Sequence, residues 1–227
     1  MSLSGSSVAS TPQNVDVLVV DDGSPDGTGK LADTLSQQNS RIHVLHREKK
    51  MGLGPAYIAG FGWGFQREYD ALIEMDADFS HHPKYLKQML DLLEANDVVI
   101  GSRYVPGGGV VNWGFGRKVL SRGGSFYSRM ILGANIRDFT GGFNGWRRKV
   151  LETIDLKSLR SDGYSFQIEL KYRAFLHQFK IQEFPIIFED RKVGKSKMHR
   201  RIVIEALRRV WGFRLQSRSL TKSVKAL

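Results

Sequence analysis

The sequence predicts an α/β fold in which a mostly parallel sheet is flanked by helices, and three observations predict it. Short apolar segments rich in Val, Ile and Leu alternate with longer helix-forming segments through the first hundred residues. Each apolar segment ends at an acidic or glycine-containing turn. The chain of 227 residues is 41% hydrophobic and 25% charged, which is typical of a globular protein with a sizeable core. It has no cysteine, which excludes disulfides and thiolate metal sites.

The first half of the chain supplies these strands and helices in alternation. The predicted strands are Val15–Val20, Ile42–Leu45, Ala71–Met75 and Val98–Ile100, the last of which ends at Gly101. The predicted helices between them are Pro25–Gln38, Pro55–Phe65 and Pro83–Ala95. Because a helix between two strands usually returns the chain to run parallel, the pattern predicts a parallel sheet covered by helices.

The chain after Tyr104 has a less regular pattern. We expect a flexible loop at Pro106–Gly109, helices at Arg117–Leu132 and Gly163–His177, a strand at Lys180–Phe188 and a helix at His199–Leu215. The segment Asp138–Gly145 is rich in turn residues and predicts little regular structure. In the last helix, one side carries Val203, Leu207, Val210 and Trp211. That spacing predicts an amphipathic helix.

An acidic pair, Asp76 and Asp78, follows the predicted strand Ala71–Met75. Two carboxylates two residues apart at a strand end project to the same side, and their oxygens can bind a divalent cation. An isolated pair of this kind is more often a solvated surface feature. Asp22 and Arg103 also follow strand ends, where ligands bind in parallel α/β sheets. This convergence favours a binding site.

Two further turns lead into predicted helices. Asp21–Thr28 is acidic and can bind ribose or base groups, or it can cap the helix through Ser24 or Asp26. Arg47–Ala56 combines cations with glycines, which allow a backbone to approach a ligand closely. A simple flexible turn is the alternative for that segment.

The formal net charge of +11 is concentrated in residues 191–227, which hold twelve Lys or Arg and one acid, Glu205. Such a segment suggests a polyanionic partner, or alternatively a solvated basic tail. No apolar run approaches the ~18 residues that span a bilayer. The Ser-rich residues 1–14 lack the features of a secretory signal and predict a disordered lead-in.

Seven motifs in order resemble one family. They are Asp21–Thr28, Arg47–Gly54, Met75–Pro83, Gly101–Tyr104, Ser121–Gly123, Gly163–Glu169 and Asp190–Lys197. Together they resemble the dolichol-phosphate (polyprenol-phosphate) mannosyltransferases of the family-2 glycosyltransferases, over about residues 15–197. The resemblance implies a GT-A fold, GDP-mannose as donor and a dolichyl or other polyprenyl phosphate as acceptor. It implies a GT-A catalytic domain at 15–190, followed at 191–227 by a basic substrate loop and an amphipathic helix.

The family's roles transfer to matching positions of this chain. The resemblance implies nucleotide contacts at Val20 and Asp22, Mg²⁺ or Mn²⁺ on Asp76 and Asp78, the Ala77 backbone beside the diphosphate, cations around the phosphates at Arg103, Arg191 and Lys197, and acceptor-phosphate binding at Arg122. Asp78, Arg103 and Arg191 are the expected catalytic residues.

These residue types suit transfer of a sugar from a nucleoside diphosphate. A divalent cation, Arg191 and Lys197 would stabilise negative charge on the leaving diphosphate. The acceptor is already an anion, so no general base is required, and we interpret His81 and His82 as residues of a turn that begins a helix. Arg103 is expected to hold the incoming phosphate through two parallel hydrogen bonds. The resemblance implies inversion at the anomeric carbon, which gives a β-linked product.

A lipid acceptor implies a membrane surface as a partner. The Arg-rich last helix suits an interfacial position, and docking on the catalytic domain is the alternative. The resemblance is to members that rely on small membrane-anchoring subunits. The expected location is the cytoplasmic face of the endoplasmic reticulum in a eukaryote, or otherwise the cytoplasmic membrane surface. No nucleic acid partner is expected.

The sequence departs from the family at three places. The family's first strand, with its Pro-Thr-Tyr-Asn-Glu-type turn, is missing, and in the family it lies between the strands that match Val15–Val20 and Ala71–Met75. We expect its loss to leave backbone groups unpaired in the sheet centre, or to force two strands to close across one spacing of ~4.8 Å. Ser80 replaces a Gln that some relatives have, and Gly142 and Asn144-Gly145 loosen the acceptor-side loop.

Three other functions remain open from the sequence alone. One is transfer of glucose or another hexose to the same lipid, because no residue reads the sugar hydroxyls unambiguously. The second is nucleic-acid binding by the basic segment, against which the acidic site argues. The third is an N-terminally truncated, inactive form that only associates with membrane subunits.

Overall fold

Strands and helices alternate along the chain as predicted, and the chain divides into two compact units, Met1–Tyr69 and Asp70–Leu227. A computed structural model describes residues 15–159, 161, 163–190 and 200–222, with side chains described except at 200–205 and 220–222. The expected lead-in at 1–14 lies outside this range, and the expected boundary at 190/191 falls at its edge. The predicted domain boundaries therefore stay predictions.

Over its described residues, 15–69, the N-terminal unit contains two strands and two helices. They are β1 (Val17–Asp21), α1 (Thr28–Gln38), β2 (Ile42–His46) and α2 (Leu53–Phe65). β1 and β2 pair in parallel, from Val17 opposite Ile42 to Asp21 opposite His46. α2 packs against β1, and a Cβ at Gly60 would lie 3.4 Å from the Val20 side chain, an ordinary van der Waals contact.

The C-terminal unit contains the remaining elements. They are β3 (Ala71–Glu74), α3 (Tyr85–Leu93), β4 (Val98–Ser102), β5 (Gly109–Val111), α4 (Phe115–Leu132), β6 (Asn144–Arg147), α5 (Arg148–Thr153), a 3₁₀ turn (Leu156–Ser158), α6 (Gly163–Leu176), β7 (Ile181–Pro185), β8 (Ile187–Glu189), α7 (Arg200–Leu215) and α8 (Ser217–Lys222). Four of the strands form one sheet in the order β3-β6-β4-β7, and β5 pairs in parallel with β8.

One of the two inner strands of the four-stranded sheet, β6, is the strand of this sheet that the sequence did not predict. β6 runs antiparallel to both β3 and β4, whereas β4 and β7 are parallel. Part of Asp138–Gly145 was expected to be irregular, because Asn144 and Gly145 have low strand propensity. Tertiary packing overrides that propensity: a Cβ at Gly145 would lie 2.8 Å from Leu93 and 3.1 Å from Met89 of α3. Only glycine lets β6 pass beneath α3 at this distance.

One hydrophobic cluster of this unit lies between the four-stranded sheet and α3. Its buried members are Met89, Leu93, Val99, Phe143, Phe184 and Ile186. The sheet is thus held by side chains from β4, β7 and α3 and from the segment that precedes β6. This packing places the carboxyl end of β3 beside the segment that leads into β6.

Other expectations need small corrections. The expected single strand Lys180–Phe188 is two strands, β7 and β8, which pair with different partners. The predicted flexible loop at Pro106–Gly109 runs directly into β5. In α7, Val210 is buried but Trp211 is half-exposed, so these two side chains do not share a side as expected. α7 packs against α4 and α6, which supports the docking alternative for this helix.

β1 and β3 are each an end strand of their own sheet among the described residues. The expectation that a family strand between them is missing therefore stays a prediction. In the part of the chain that is described, no helix is both long enough and apolar enough to cross a bilayer.

Candidate functional site

The acidic turn after β3 is organised by backbone hydrogen bonds to two side chains. The Asp78 carboxylate accepts from the Ser80 backbone N–H at 3.1 Å and from the Ser80 hydroxyl. The Asp76 backbone N–H donates to His81 Nδ1 at 3.0 Å. The turn Asp76–Ser80 is therefore fixed from both ends, and Asp76 remains partly exposed.

His81 is a buried supporting residue of this turn. Its ring stacks on Phe143 at 5.2 Å between centroids and meets Phe188 edge to face. Burial lowers the pKa of His81, which favours the neutral ring that an acceptor at Nδ1 requires. His82 accepts from the backbone N–H of Lys84 at 3.1 Å. Both histidines therefore have the structural role in a turn that the sequence suggested.

The residues of this turn fit a divalent cation bound together with a diphosphate. Among the described residues no group of three or more His, Cys, Asp or Glu could hold a metal ion by itself. Mg²⁺ typically binds one or two carboxylates and completes its shell with substrate phosphates and water. A Cβ at Gly142 would lie 3.8 Å from Asp76 Oδ1, so glycine keeps space open at this carboxylate. Asp76 and Asp78 supply the hard oxygen ligands that such an ion prefers.

Arg103 is buried and forms a fork with Asp138. Its Nε and backbone N–H donate to Asp138 Oδ2 at 2.8 and 2.9 Å, and its Nη2 donates to Oδ1 at 2.7 Å and to Thr140 at 2.8 Å. Burial alone would raise the pKa of Asp138, but the Arg103 charge and hydrogen bonds hold that pKa at about 2. Asp138 thus occupies the Nε and Nη2 edge of the Arg103 guanidinium, and the roles expected for Arg103 at the phosphates stay predictions.

A buried polar network supports the loop that contains Asp138. Lys171 Nζ donates to the backbone carbonyls of Asp138 at 2.9 Å and Gly141 at 2.8 Å. Glu74 Oε2 accepts from Asn144 Nδ2 at 2.9 Å and from Gln167 Nε2 at 2.8 Å. Burial raises the pKa of Glu74 to about 7 and lowers that of Lys171 to about 8. The network joins β3, β6 and α6 directly beneath the acidic turn.

Sequence reasoning missed this network. Gln167 and Lys171 lie four residues apart on α6, a helix in which ten of fourteen residues are buried. Two polar residues on one face of a buried helix are the signal that could have indicated a buried partner. The partners themselves, Glu74 and Asp138, come from distant segments, and only the fold brings them together.

The acidic turn of the N-terminal unit has a different organisation. Asp21 is buried and accepts from the Ser24 backbone N–H at 3.1 Å, and a Cβ at Gly29 would lie 2.6 Å from it. Asp26, rather than Ser24, accepts from the first residue of α1, Thr28. Asp22 forms an ion pair with Arg47 at 2.6 Å. The turn is thus stabilised largely by its own side chains.

The remaining expected site residues stand as follows. Ala77 is exposed in the acidic turn, Arg122 is exposed on α4, and Val20 is half-buried in β1. Arg191 and Lys197 lie outside the described residues. The C-terminal unit therefore brings Asp76, Ala77 and Asp78 together in one turn. The roles expected for Val20, Asp22, Arg122, Arg191 and Lys197 stay predictions.

Comparisons with known proteins connect this geometry to one family. The model of glycosyl transferase family 2 matches residues 5–155. The chain is 52% identical over 204 residues to polyprenol monophosphomannose synthase of Mycolicibacterium smegmatis, covering 88% of this chain and 77% of that protein. It is 51% identical over 199 residues to undecaprenyl-phosphate mannosyltransferase of Micrococcus luteus, covering 87% and 82%.

Solved structures with a similar fold include glucosyl-3-phosphoglycerate synthase of Mycobacterium tuberculosis. Its complex with phosphoglyceric acid has a TM-score of 0.59 at 18% identity and covers 87% of this chain and 69% of that one. Its complex with Mn²⁺, uridine diphosphate and product has a TM-score of 0.56 at 19% identity, covering 89% and 68%. At this identity the likeness shows the fold alone, and it confirms the GT-A type of α/β fold.

Proposed function

Because the chain belongs to glycosyl transferase family 2, we propose that it transfers mannose from GDP-mannose to a polyprenyl phosphate, with inversion at the anomeric carbon. Two relatives above 50% identity support the transferred sugar and the acceptor class, since both are named as mannosyl transferases or synthases of polyprenyl phosphates. The donor nucleotide and the inversion are the finer parts of the proposal.

The acidic turn after β3 is the observation that carries the proposal. It presents Asp76 and Asp78 beyond the carboxyl end of a strand, where α/β sheets bind ligands. Ser80 and His81 fix this turn by hydrogen bonds. Gly142 leaves space at the Asp76 carboxylate. Such a preorganised pair of hard ligands suits the diphosphate of a nucleotide sugar.

The chemistry requires stabilisation of a leaving diphosphate. Mg²⁺ or Mn²⁺ bound by Asp76 and Asp78 would supply positive charge where negative charge develops on the leaving oxygens. Arg191 and Lys197 are proposed to add charge there. The buried Arg103 charge holds the loop at Asp138 through hydrogen bonds. The acceptor phosphate is already an anion, and His81 uses its Nδ1 to hold the turn, so the proposal includes no protein base.

We further propose that the reaction takes place at the cytoplasmic surface of a membrane that contains the polyprenyl phosphate. A polyprenyl chain keeps the acceptor in the bilayer, and its phosphate lies at the surface. One of the two bacterial relatives is named for undecaprenyl phosphate, which supports an acceptor of that type, and dolichyl phosphate is the eukaryotic counterpart of the same chemical class.

A radiolabel transfer assay tests the proposal. Purified protein is mixed with GDP-[¹⁴C]mannose and undecaprenyl or dolichyl phosphate, and label in the organic extract is counted with Mg²⁺, with Mn²⁺ and with chelator. We expect label transfer that the chelator removes, and no transfer from UDP-glucose. Asp78→Asn is expected to lower the rate on the order of 100-fold or more, because the cation loses a carboxylate ligand.

Asp70→Asn is the matched control, since Asp70 is an exposed carboxylate next to the opposite end of β3. It should leave the rate unchanged. Full activity of Asp78→Asn, or transfer that is insensitive to chelator, would contradict the proposed metal site. Transfer from UDP-glucose in place of GDP-mannose would replace the proposed donor.

A further inference from the structure

The acidic turn after β3 contains a phenylalanine in an unusual backbone conformation. Phe79 has a φ of 65°, in the left-handed region that bulky side chains rarely adopt. The residue is also 50% exposed, so the protein covers only part of its apolar ring. Strained residues of this kind cluster at active sites and at contacts with ligands. The combination of strain and exposure at Phe79 therefore points to a role beyond folding.

The other residues with this conformation have ordinary structural reasons for it. Among the described residues, the other non-glycine positions with positive φ are Glu68, Asn112 and Gln178. Glu68 and Gln178 follow the ends of α2 and α6, where a left-handed residue commonly ends a helix. Asn112 has a short polar side chain that tolerates the left-handed region. Phe79 is the apolar member of this group, and it follows a strand rather than a helix.

The hydrogen bonds of the turn do not use the Phe79 side chain. The backbone N–H and the hydroxyl of Ser80 donate to Asp78. The backbone N–H of Asp76 donates to His81. Glycine or asparagine at position 79 would adopt the same φ with less strain. The conformation of the turn is thus explained by its neighbours, and the choice of a phenylalanine is not.

The position of Phe79 next to Asp78 indicates which group it contacts. Asp78 is proposed to bind a divalent cation and, through it, the diphosphate of the donor. The hexose is bonded directly to that diphosphate. In a reaction with inversion, the acceptor attacks the anomeric carbon from the side opposite the diphosphate, so it lies farther from Asp78 than the hexose does. The hexose is therefore the apolar-faced group nearest to the Phe79 ring.

We infer that the Phe79 side chain packs against the hexose of the bound nucleotide sugar. A hexose presents C–H groups as well as hydroxyls, and sites for small ligands are lined largely by apolar and aromatic side chains. The contact removes apolar surface of the exposed ring from water, which favours binding. The inference rests on the proposed function, and it adds a residue that binds the transferred sugar rather than the nucleotide or the cation.

Calorimetric titration of the full chain with two ligands tests the inference. GDP-mannose and GDP are titrated separately with Mg²⁺ and without acceptor, so that the ligands differ in the hexose. Phe79→Asn removes the ring and introduces a residue that tolerates positive φ. We expect this variant to bind GDP-mannose at least about tenfold more weakly than the wild type, because the apolar contact is lost. Its Kd for GDP should change by less than about twofold.

Further variants separate the ring from the backbone. Phe79→Gly also allows positive φ and should show the same selective loss. Phe79→Leu keeps an apolar side chain and should retain GDP-mannose affinity within about threefold. Phe175→Asn, which alters a partly exposed phenylalanine of α6, is the matched control and should bind both ligands like the wild type. Mn²⁺ affinity in the presence of GDP, measured by electron paramagnetic resonance, should be equal in all variants, because the hydrogen bonds of Asp78 are kept.

Two results would overturn the inference. Equal losses of GDP and GDP-mannose affinity in Phe79→Asn and Phe79→Gly would mean that the ring supports the turn or contacts the nucleotide. Unchanged GDP-mannose affinity in both variants would mean that the ring does not contact the hexose. A raised KM for the polyprenyl phosphate in that second case would assign the ring to the acceptor instead.

The same titrations separate this inference from the proposed function. If the wild type bound UDP-glucose in place of GDP-mannose, the proposed donor would be wrong, and UDP-glucose compared with UDP would test the hexose contact in the same variants. If the wild type bound GDP-mannose and transferred no mannose to a polyprenyl phosphate, the proposed reaction would be refuted. The two affinities would still report on Phe79. A wild type that binds none of these nucleotides would contradict both proposals.

Discussion

The two compact units of the chain place their charged side chains in different environments. In the N-terminal unit the ion pairs lie at the surface or half-buried, as for Arg41 with Asp16 and His46 with Asp33. In the C-terminal unit Arg103 and Asp138 are buried together, and Lys171 is fully buried nearby. Both units are built from strands followed by helices. Their ion pairs nevertheless differ greatly in how much the loss of one partner would destabilise the fold.

This difference in burial shows that charged side chains fix the backbone conformation where they are buried. Exposed pairs contribute about 0–1 kcal/mol, because water screens them and ordering their side chains costs entropy. A buried charge must be matched by partners, so its position dictates theirs. Lys171 binds the carbonyls of Asp138 and Gly141, and the loop thereby presents Gly142 to Asp76. The core charges of one unit therefore shape the candidate metal site above them.

The largest expected effect comes from removing the buried partner of Arg103. Asp138→Ala should lower the free energy of unfolding by about 3–5 kcal/mol, because a buried guanidinium is left without its carboxylate. Urea denaturation measures the change. Asp16→Ala in the N-terminal unit is the matched control and should cost less than about 1 kcal/mol. Similar losses from the two changes would remove the contrast between the units.

A smaller effect is expected from the pH dependence of Lys171. Burial lowers its pKa from 10.5 to about 8 in the folded protein. Between these values the unfolded chain binds more protons than the folded one, so stability rises with pH across this window. The wild type should gain on the order of 2 kcal/mol relative to Lys171→Met between pH 8 and 10.5. Urea denaturation of both proteins across the window measures it.

Lys157→Met serves as the control for that series, because Lys157 is exposed on the surface of the same unit. Its stability relative to the wild type should not change with pH in this range. If the difference in unfolding free energy between the wild type and Lys171→Met also did not change with pH, Lys171 would keep its ordinary pKa. That result would contradict the burial of its charge in the network.

The smallest expected effect concerns a surface group of the N-terminal unit. Hydrogen bonds that the His46 ring donates to the carboxylate of Asp33 and then to that of Asp21 raise the pKa of His46 above 6.5. Asp33→Asn should lower that pKa, because the ring loses its first carboxylate partner. An NMR titration of the histidine ring signals measures it, with His177 as an internal control. The pKa of His177, which burial lowers, should not respond. If the pKa of His46 were the same in the variant, the contact with Asp33 would not persist in solution.

The regular strands and helices were the part of the fold that could be predicted. Val98–Ile100 is buried in β4, and Ile42 begins β2 as expected, because runs of Val, Ile and Leu favour strands wherever they lie. β6 could not be predicted, since Gly145 is chosen by the approach of Met89 and Leu93 rather than by strand propensity. The hydrogen bond between Arg103 and Asp138 could not be predicted for the same kind of reason, because Asp138 lies 35 residues away.

The sequence by itself determined the alternation of elements, the order of the motifs and the acidic pair Asp76 and Asp78 at a strand end. These are local properties, because they depend on residue type and spacing along a few turns of chain. Only the tertiary structure decided which charges are buried together and which apolar side chains stay exposed. Burial is a property of distant segments that meet, and the free energy of a buried charge or an exposed phenylalanine depends on those neighbours.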